Sequence, residues 1–142
     1  MRVSAHGGDS TGSRFLPTDI RFSDEAERNR IKLRIDQLRK VGVQHFALLF
    51  DDLPGNMDDD DRRAFESLAA AQCDVTNAIF AWVRGQFAGA RFLFCPTPYC
   101  DRMDRMQLGG TGYLDEVGRL LSPEIDVLWT GPEIVSEEIP IE

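Results

Sequence analysis

The sequence is 142 residues long, 42% hydrophobic and 28% charged, which suits one globular domain and excludes a disordered tail. Its 24 acidic residues outnumber 16 basic ones for a formal charge of −8, and this excludes nucleic acid as an expected partner, because phosphate backbones select clustered Lys and Arg. No apolar run approaches the ~18 residues that span a bilayer, and the opening MRVSAHGGDSTGSR lacks a signal peptide's apolar stretch, so a cytoplasmic protein with no membrane contact is expected.

In chain order, residues 1–19 are rich in Gly, Ser, Thr and Asp without a sustained period and read as an irregular lead-in, leaving 20–142 as the domain proper. Ser23 offers a helix N-cap, acids at Asp24, Glu25 and Glu27 suit the helix dipole, and Ile31, Ile35 and Leu38 recur at helical spacing, which predicts a helix over about 24–41. Val43 to Phe50 (VQHFALLF) is a short apolar run stopped by Asp51 and Asp52, the pattern of a buried strand. A Pro-Gly-Asn turn lies within Leu53 to Met57. Asp58 to Asp61 then suit helix capping better than cation binding, since consecutive helical residues point in different directions. Phe65, Leu68, Ala69, Gln72, Thr76, Ile79, Phe80 and Val83 share one face, predicting a single helix over about 59–84.

The rhythm then repeats. Arg91 to Cys95 is a second strand, Gln107 to Gly112 a Gly-rich loop, Tyr113 to Leu121 a short helix stopped by Pro123, and Ile125 to Thr130 a third strand. Strands separated by such long crossovers pair in parallel, so the class is α/β. Each strand ends in polar or constrained residues: Asp51-Asp52, Pro96 to Tyr99, and Gly131-Pro132-Glu133. Parallel α/β folds bind ligands at the C-terminal ends of their strands, so these segments should converge on one site.

Two acids directly after FALLF are the sharpest chemical signal. Burial at the rim of a dry core and a neighbouring negative charge both raise a carboxyl pKa, so one acid could stay protonated while the other ionises, the division of labour that glycoside cleavage uses. The competing reading is a solvated loop start or a cap for the next helix. Tyr99 could donate its hydroxyl to a substrate carbonyl or simply be a half-buried packing residue. Cys95, inside an apolar run, reads as a small core residue, while Trp129 reads as core or as the wall of a sugar pocket. His6 and His45 are poorly placed as catalytic bases. Three cysteines, Cys73, Cys95 and Cys100, form no CxxC pair, so reduced thiols and neither a metal nor another cofactor are expected.

The ordered segments FALLFDD, CDVTNAIF, FLFCPTPYC and DVLWTGPEIVSEEIP resemble the catalytic domain of glycoside hydrolase family 84, the protein O-GlcNAcases and bacterial β-N-acetylglucosaminidases, from about Asp19 to Glu142. The resemblance implies roughly strands four to six of a (β/α)8 barrel. It also implies retaining, substrate-assisted hydrolysis of an N-acetylglucosamine-bearing glycoside or glycoprotein, in which the sugar's own acetamido oxygen forms an oxazoline. Asp51 then matches the carboxylate that orients the acetamido N–H, and Asp52 the general acid and base. Tyr99 matches a tyrosine near the acetamido group, Cys95 the wall facing its methyl, and Trp129 to Ile134 the pocket edge. The family's first three strands, and the sugar-hydroxyl contacts after strand seven, have no counterpart, so reduced turnover and association with itself or with a complementing chain are expected. Two other classes remain in comparison. A phosphoacceptor receiver domain would need a lysine after a late strand, and none follows Lys40. A non-catalytic sugar-binding fragment would keep Asp51 and Tyr99 without completing the reaction.

Overall fold

The computed structural model describes residues 20–51 and 57–138 in full, together with the backbone of 2–5. In chain order the elements are β1 (Arg2–Ala5), α1 (Glu25–Lys40), β2 (Phe46–Leu49), α2 (Asp59–Ala64), α3 (Leu68–Gln86), β3 (Phe92–Cys95), α4 (Asp101–Arg105), α5 (Tyr113–Leu120) and β4 (Asp126–Val127). The sheet order is β1-β2-β3-β4. The pairs β2–β3 and β3–β4 are parallel, with α2 and α3 crossing between the first pair and α4 and α5 between the second. This is the α/β arrangement that the strand and helix rhythm implied.

Three local departures have physical causes. Residues 2–5 form β1, antiparallel to β2, inside the segment expected to be irregular; no apolar run or turn signal marks it, and the edge groups of β2 supply its pairing. The expected helix over 59–84 is two helices. Phe65 is extended and Ser67 caps α3, its hydroxyl accepting from the Ala70 N–H at 2.9 Å, so capping chemistry overrides a continuous apolar period. Asp24, not Ser23, caps α1, with its carboxylate accepting from Ala26 N at 2.8 Å. The turn expected at 53–57 falls, except for Met57, outside the described residues.

Alternation along the strands sets two faces. Phe46, Leu48, Phe92 and Phe94 are buried and pack into one core with Ile31 and Ile35 of α1, Val75, Ile79, Phe80 and Val83 of α3, and Val117 of α5. Ala47, Leu49 and Leu93 point to the opposite, half-buried face. The Phe80 and Phe92 rings meet edge-on with centroids 5.7 Å apart, which locks α3 onto β3. α3 in turn packs against α1 and α5, and these three helices share the core on the Phe face of the sheet.

The aspartate run has a second use. Asp58 caps α2, accepting from Asp61 N at 2.8 Å, and Asp61 is itself buried, accepting from Phe22 N at 2.9 Å and Ser23 N at 2.7 Å. One carboxylate thereby satisfies two backbone donors ahead of α1 and ties that entry to the segment following β2.

Candidate active site at the strand ends

The parallel register places Leu49 opposite Cys95. Beyond the last bridge, Phe50 N still donates to Cys95 O at 2.9 Å, and Leu128 N to Phe94 O at 2.8 Å, so backbone pairing continues past β2 and β4. Asp51 follows immediately. By the period of two it continues the side of Ala47 and Leu49, opposite the core shared with α1, α3 and α5, and Cys95 continues the side of Leu93. Asp51 is half-buried, and its Oδ1 is buried without a hydrogen-bond partner among the described residues. A buried acceptor left open is uncommon in a folded protein and marks a place where a donor from outside would be stabilised. Asp52 lies outside the described residues.

The segment after β3 carries the other residues. Cys95 is the last residue of β3 and 3% exposed, its thiol facing the Pro96 carbonyl at 3.8 Å. Tyr99 is half-buried. Its carbonyl accepts from Thr130 N at 3.0 Å and Thr130 Oγ1 at 3.3 Å, which binds the turn after β3 to the turn after β4. Gly131 O and Pro132 O accept from Asp101 N and Arg102 N at 3.0 and 3.2 Å, and Gly131 adopts φ +86°, a value that favours glycine. Trp129 and Ile134 lie on this rim, 37% and 48% exposed, so the Trp129 side chain is not a core residue. The three strand ends thus meet through backbone hydrogen bonds, as the polar terminations suggested.

Behind the turn lies a polar cluster that no sequence motif announced. Gln72 Nε2 donates to Thr97 Oγ1 at 2.9 Å, and Thr97 Oγ1 donates to Phe50 O at 3.2 Å. Thr97 N donates to the Tyr113 hydroxyl at 3.3 Å, which donates to Gln72 Oε1, and Thr76 Oγ1 donates to Gln72 O at 2.6 Å. Gln72, Thr76, Thr97 and Tyr113 are all buried. The available signal was Gln72 and Thr76 on the apolar face of a helix, where a polar side chain must find partners.

The same burial perturbs two titratable groups. Removal from water pushes the Cys73 thiol from an ordinary 9.0 to about 12, with the Glu116 charge acting in the same direction. Burial likewise raises Tyr113 well above the usual phenol range, against the lowering effect of its hydrogen bond from Thr97 N. In both cases the folded chain holds its proton more tightly than the unfolded chain does. The Cys73 contribution is therefore complete below pH 9.0 and is lost as pH rises towards about 12, and that of Tyr113 begins to fall only above its ordinary 10.0. The urea midpoint should fall between about pH 8 and about pH 10, and less steeply in Cys73→Ala. An unchanged midpoint in the parent chain would contradict this.

Comparison with known proteins fits this geometry. The family model described as β-N-acetylglucosaminidase matches residues 15–142. The protein O-GlcNAcases of Rattus norvegicus and Mus musculus are each 44% identical over 126 residues, covering 87% of this chain and 13% of theirs. The chain therefore spans only a small part of the curated relatives that it matches. The solved structure of a mutant O-GlcNAc hydrolase from Thermobaculum terrenum has a TM-score of 0.76 at 28% identity and covers 86% of this chain and 25% of that one. The parallel strands and their helices resemble part of a (β/α)8 barrel. Among the described residues no helix is long and apolar enough to cross a membrane.

Proposed function

The chain belongs to the β-N-acetylglucosaminidase family, and on that premise we propose that its strand ends supply the acetamido-binding and proton-transfer part of a retaining β-N-acetylglucosaminidase site. The substrate class is an N-acetylglucosamine-bearing glycoside or glycoprotein. The reaction is substrate-assisted: the acetamido oxygen attacks the anomeric carbon, the aglycone oxygen leaves with a proton, and water opens the resulting oxazoline with retention. No enzyme nucleophile and no cofactor is required, which sets this route apart from the two-carboxylate scheme.

The observation that carries the reading is the open, buried Oδ1 of Asp51. An acetamido N–H is a donor of the kind that position lacks, and a carboxylate there stabilises the cationic oxazolinium as charge develops. Asp52 is assigned the general acid that protonates the leaving oxygen and then the base for the incoming water. Tyr99 and Cys95 are assigned to the acetamido pocket, Tyr99 through its hydroxyl and Cys95 as apolar wall. Trp129 and Ile134 are assigned to its open rim. A cytoplasmic setting and association with a complementing chain belong to the same proposal.

Two measurements on the 142-residue chain test it. A thiazoline mimic of the oxazoline should bind, and Asp51→Asn should weaken that binding at least about tenfold by removing the negative charge that pairs with the protonated ring nitrogen. Any hydrolysis of a nitrophenyl N-acetyl-β-glucosaminide should fall about 10²-fold or more in Asp52→Asn. Absence of thiazoline binding in the parent chain would overturn the assignment. A second reading is sugar binding at Asp51 and Tyr99 without completed turnover. Thiazoline binding without hydrolysis in the parent chain would select it.

A further inference from the structure

We propose that Thr97, held by Gln72 and Tyr113, is a positioning residue that fixes the Asp51 carboxylate relative to the turn bearing Tyr99. The hydroxyl of Thr97 has one proton and can accept as well, and both capacities are used: it donates to Phe50 O and accepts from Gln72 Nε2. Phe50 is the residue directly before Asp51. Its N–H is already held by Cys95 O at 2.9 Å, so the hydroxyl clamps the second polar group of the same residue. The peptide that leads into Asp51 is therefore tied on both sides to the segment 95–97.

The clamp is itself supported rather than free to rotate. Tyr113 accepts from Thr97 N and donates to Gln72 Oε1, while Gln72 donates back to Thr97 Oγ1. These bonds form a closed ring through residues of α3, the turn after β3, and α5. Thr97 lies two residues before Tyr99, so one side chain links the strand end that carries the candidate carboxylate to the turn that carries the candidate hydroxyl. Thr76 anchors the backbone of Gln72 one helical turn further along. A valine would fill the same volume as Thr97 but could make neither bond, which is why the polar residue matters here.

The inference rests on the reading of Asp51 as an acetamide acceptor for its ligand arm only. The ligand-free arm is NMR of the side-chain carboxyl carbon of Asp51 and the ring of Tyr99, compared among the parent chain, Thr97→Val and Thr97→Ser. Expected is a displaced Asp51 carboxyl signal and broadened or displaced Tyr99 ring signals in Thr97→Val, with remote Ile31 and Ile35 methyl signals unmoved and Thr97→Ser close to the parent. In the ligand arm Thr97→Val should bind the thiazoline about tenfold more weakly while still folded, and Thr97→Ser should recover most of the affinity. A folded Thr97→Val with parent-like Asp51 and Tyr99 signals would overturn the proposal, as would failure of Thr97→Ser to restore them. If the parent chain does not bind the thiazoline, the functional assignment falls and the resonances alone decide the positioning role. If Thr97→Val does not fold, Tyr113→Phe, which removes the outer support, decides on the same signals: displaced Asp51 and Tyr99 signals are expected, and parent-like ones overturn the proposal.

Discussion

Replacing Phe94 by alanine should lower the unfolding free energy by about 3–5 kcal/mol, the range for removing a fully enclosed aromatic ring. Phe94 is 0% exposed on β3, which has a hydrogen-bonded neighbour on each side. Its ring lies 5.4 Å from that of Phe50, which is itself 6.2 Å from Phe22, so a row of aromatics runs from β3 across β2 to the entry of α1. Truncation would open a cavity in the middle of that row, and the surrounding strands are held by ladder bonds that resist collapse. A domain of this size has about 5–15 kcal/mol of total stability, so the variant should be largely unfolded at modest urea concentrations. Phe94→Leu should lose much less, because most of the volume is kept. Urea titrations of both variants check this, and a loss below about 1 kcal/mol for Phe94→Ala would show that the row repacks freely.

The second large effect concerns Gly109, where a single methyl should be costly although the position lies in a loop. A Cβ built there falls 2.4 Å from Tyr113 Cδ2 and 2.6 Å from its Cγ. Carbon atoms cannot approach so closely, and the ring has nowhere to retreat, since Tyr113 is 1% exposed and its hydroxyl is engaged by Thr97 and Gln72. Gly109→Ala must therefore move either the loop or the ring. An overpacked core commonly loses about 1–3 kcal/mol, and the loosened hydroxyl would add a share of the cost of unpaired buried groups. The expected result is a lower urea midpoint in Gly109→Ala, with Gly110→Ala as a strained but uncrowded comparison at φ +94°. In a Tyr113→Leu background, Gly109→Ala should cost little beyond Tyr113→Leu alone, a non-additivity that would identify the ring as the obstacle.

How far the sequence disclosed these features depended on whether each was written in a local pattern. The parallel strands were legible because short apolar runs end abruptly, at Asp51-Asp52 for β2 and at Pro96 for β3. Their polar terminations correctly pointed to one meeting place. The break between α2 and α3 was not legible from periodicity, since Phe65 and Leu68 keep the apolar spacing while Ser67 between them caps a new helix. β1 was hidden for a different reason: pairing with an open edge asks little of side-chain pattern. The cluster of Gln72, Thr97 and Tyr113 depends on partners 16 to 41 residues apart, and no local motif encodes such distances. The capping expected of the aspartate run holds at Asp58, whereas the Asp61 carboxylate instead serves Phe22 N and Ser23 N, which could be seen only once α1 and α2 were placed together.

The antiparallel pairing of β1 with β2 carries a thermodynamic consequence for any strand that would pair directly with that edge of β2. The outward N–H and C=O groups of β2 form one row, and Arg2–Ala5 already occupies it. A newcomer must therefore win an exchange rather than fill a vacancy, and its apparent affinity is reduced by the fraction of molecules in which β1 is released. The far edge at β4 imposes no such toll, because beyond Asp126 and Val127 no further strand is bonded among the described residues. Pairing directly with β2 is thus competitive, whereas pairing with β4 meets no bonded strand among the described residues.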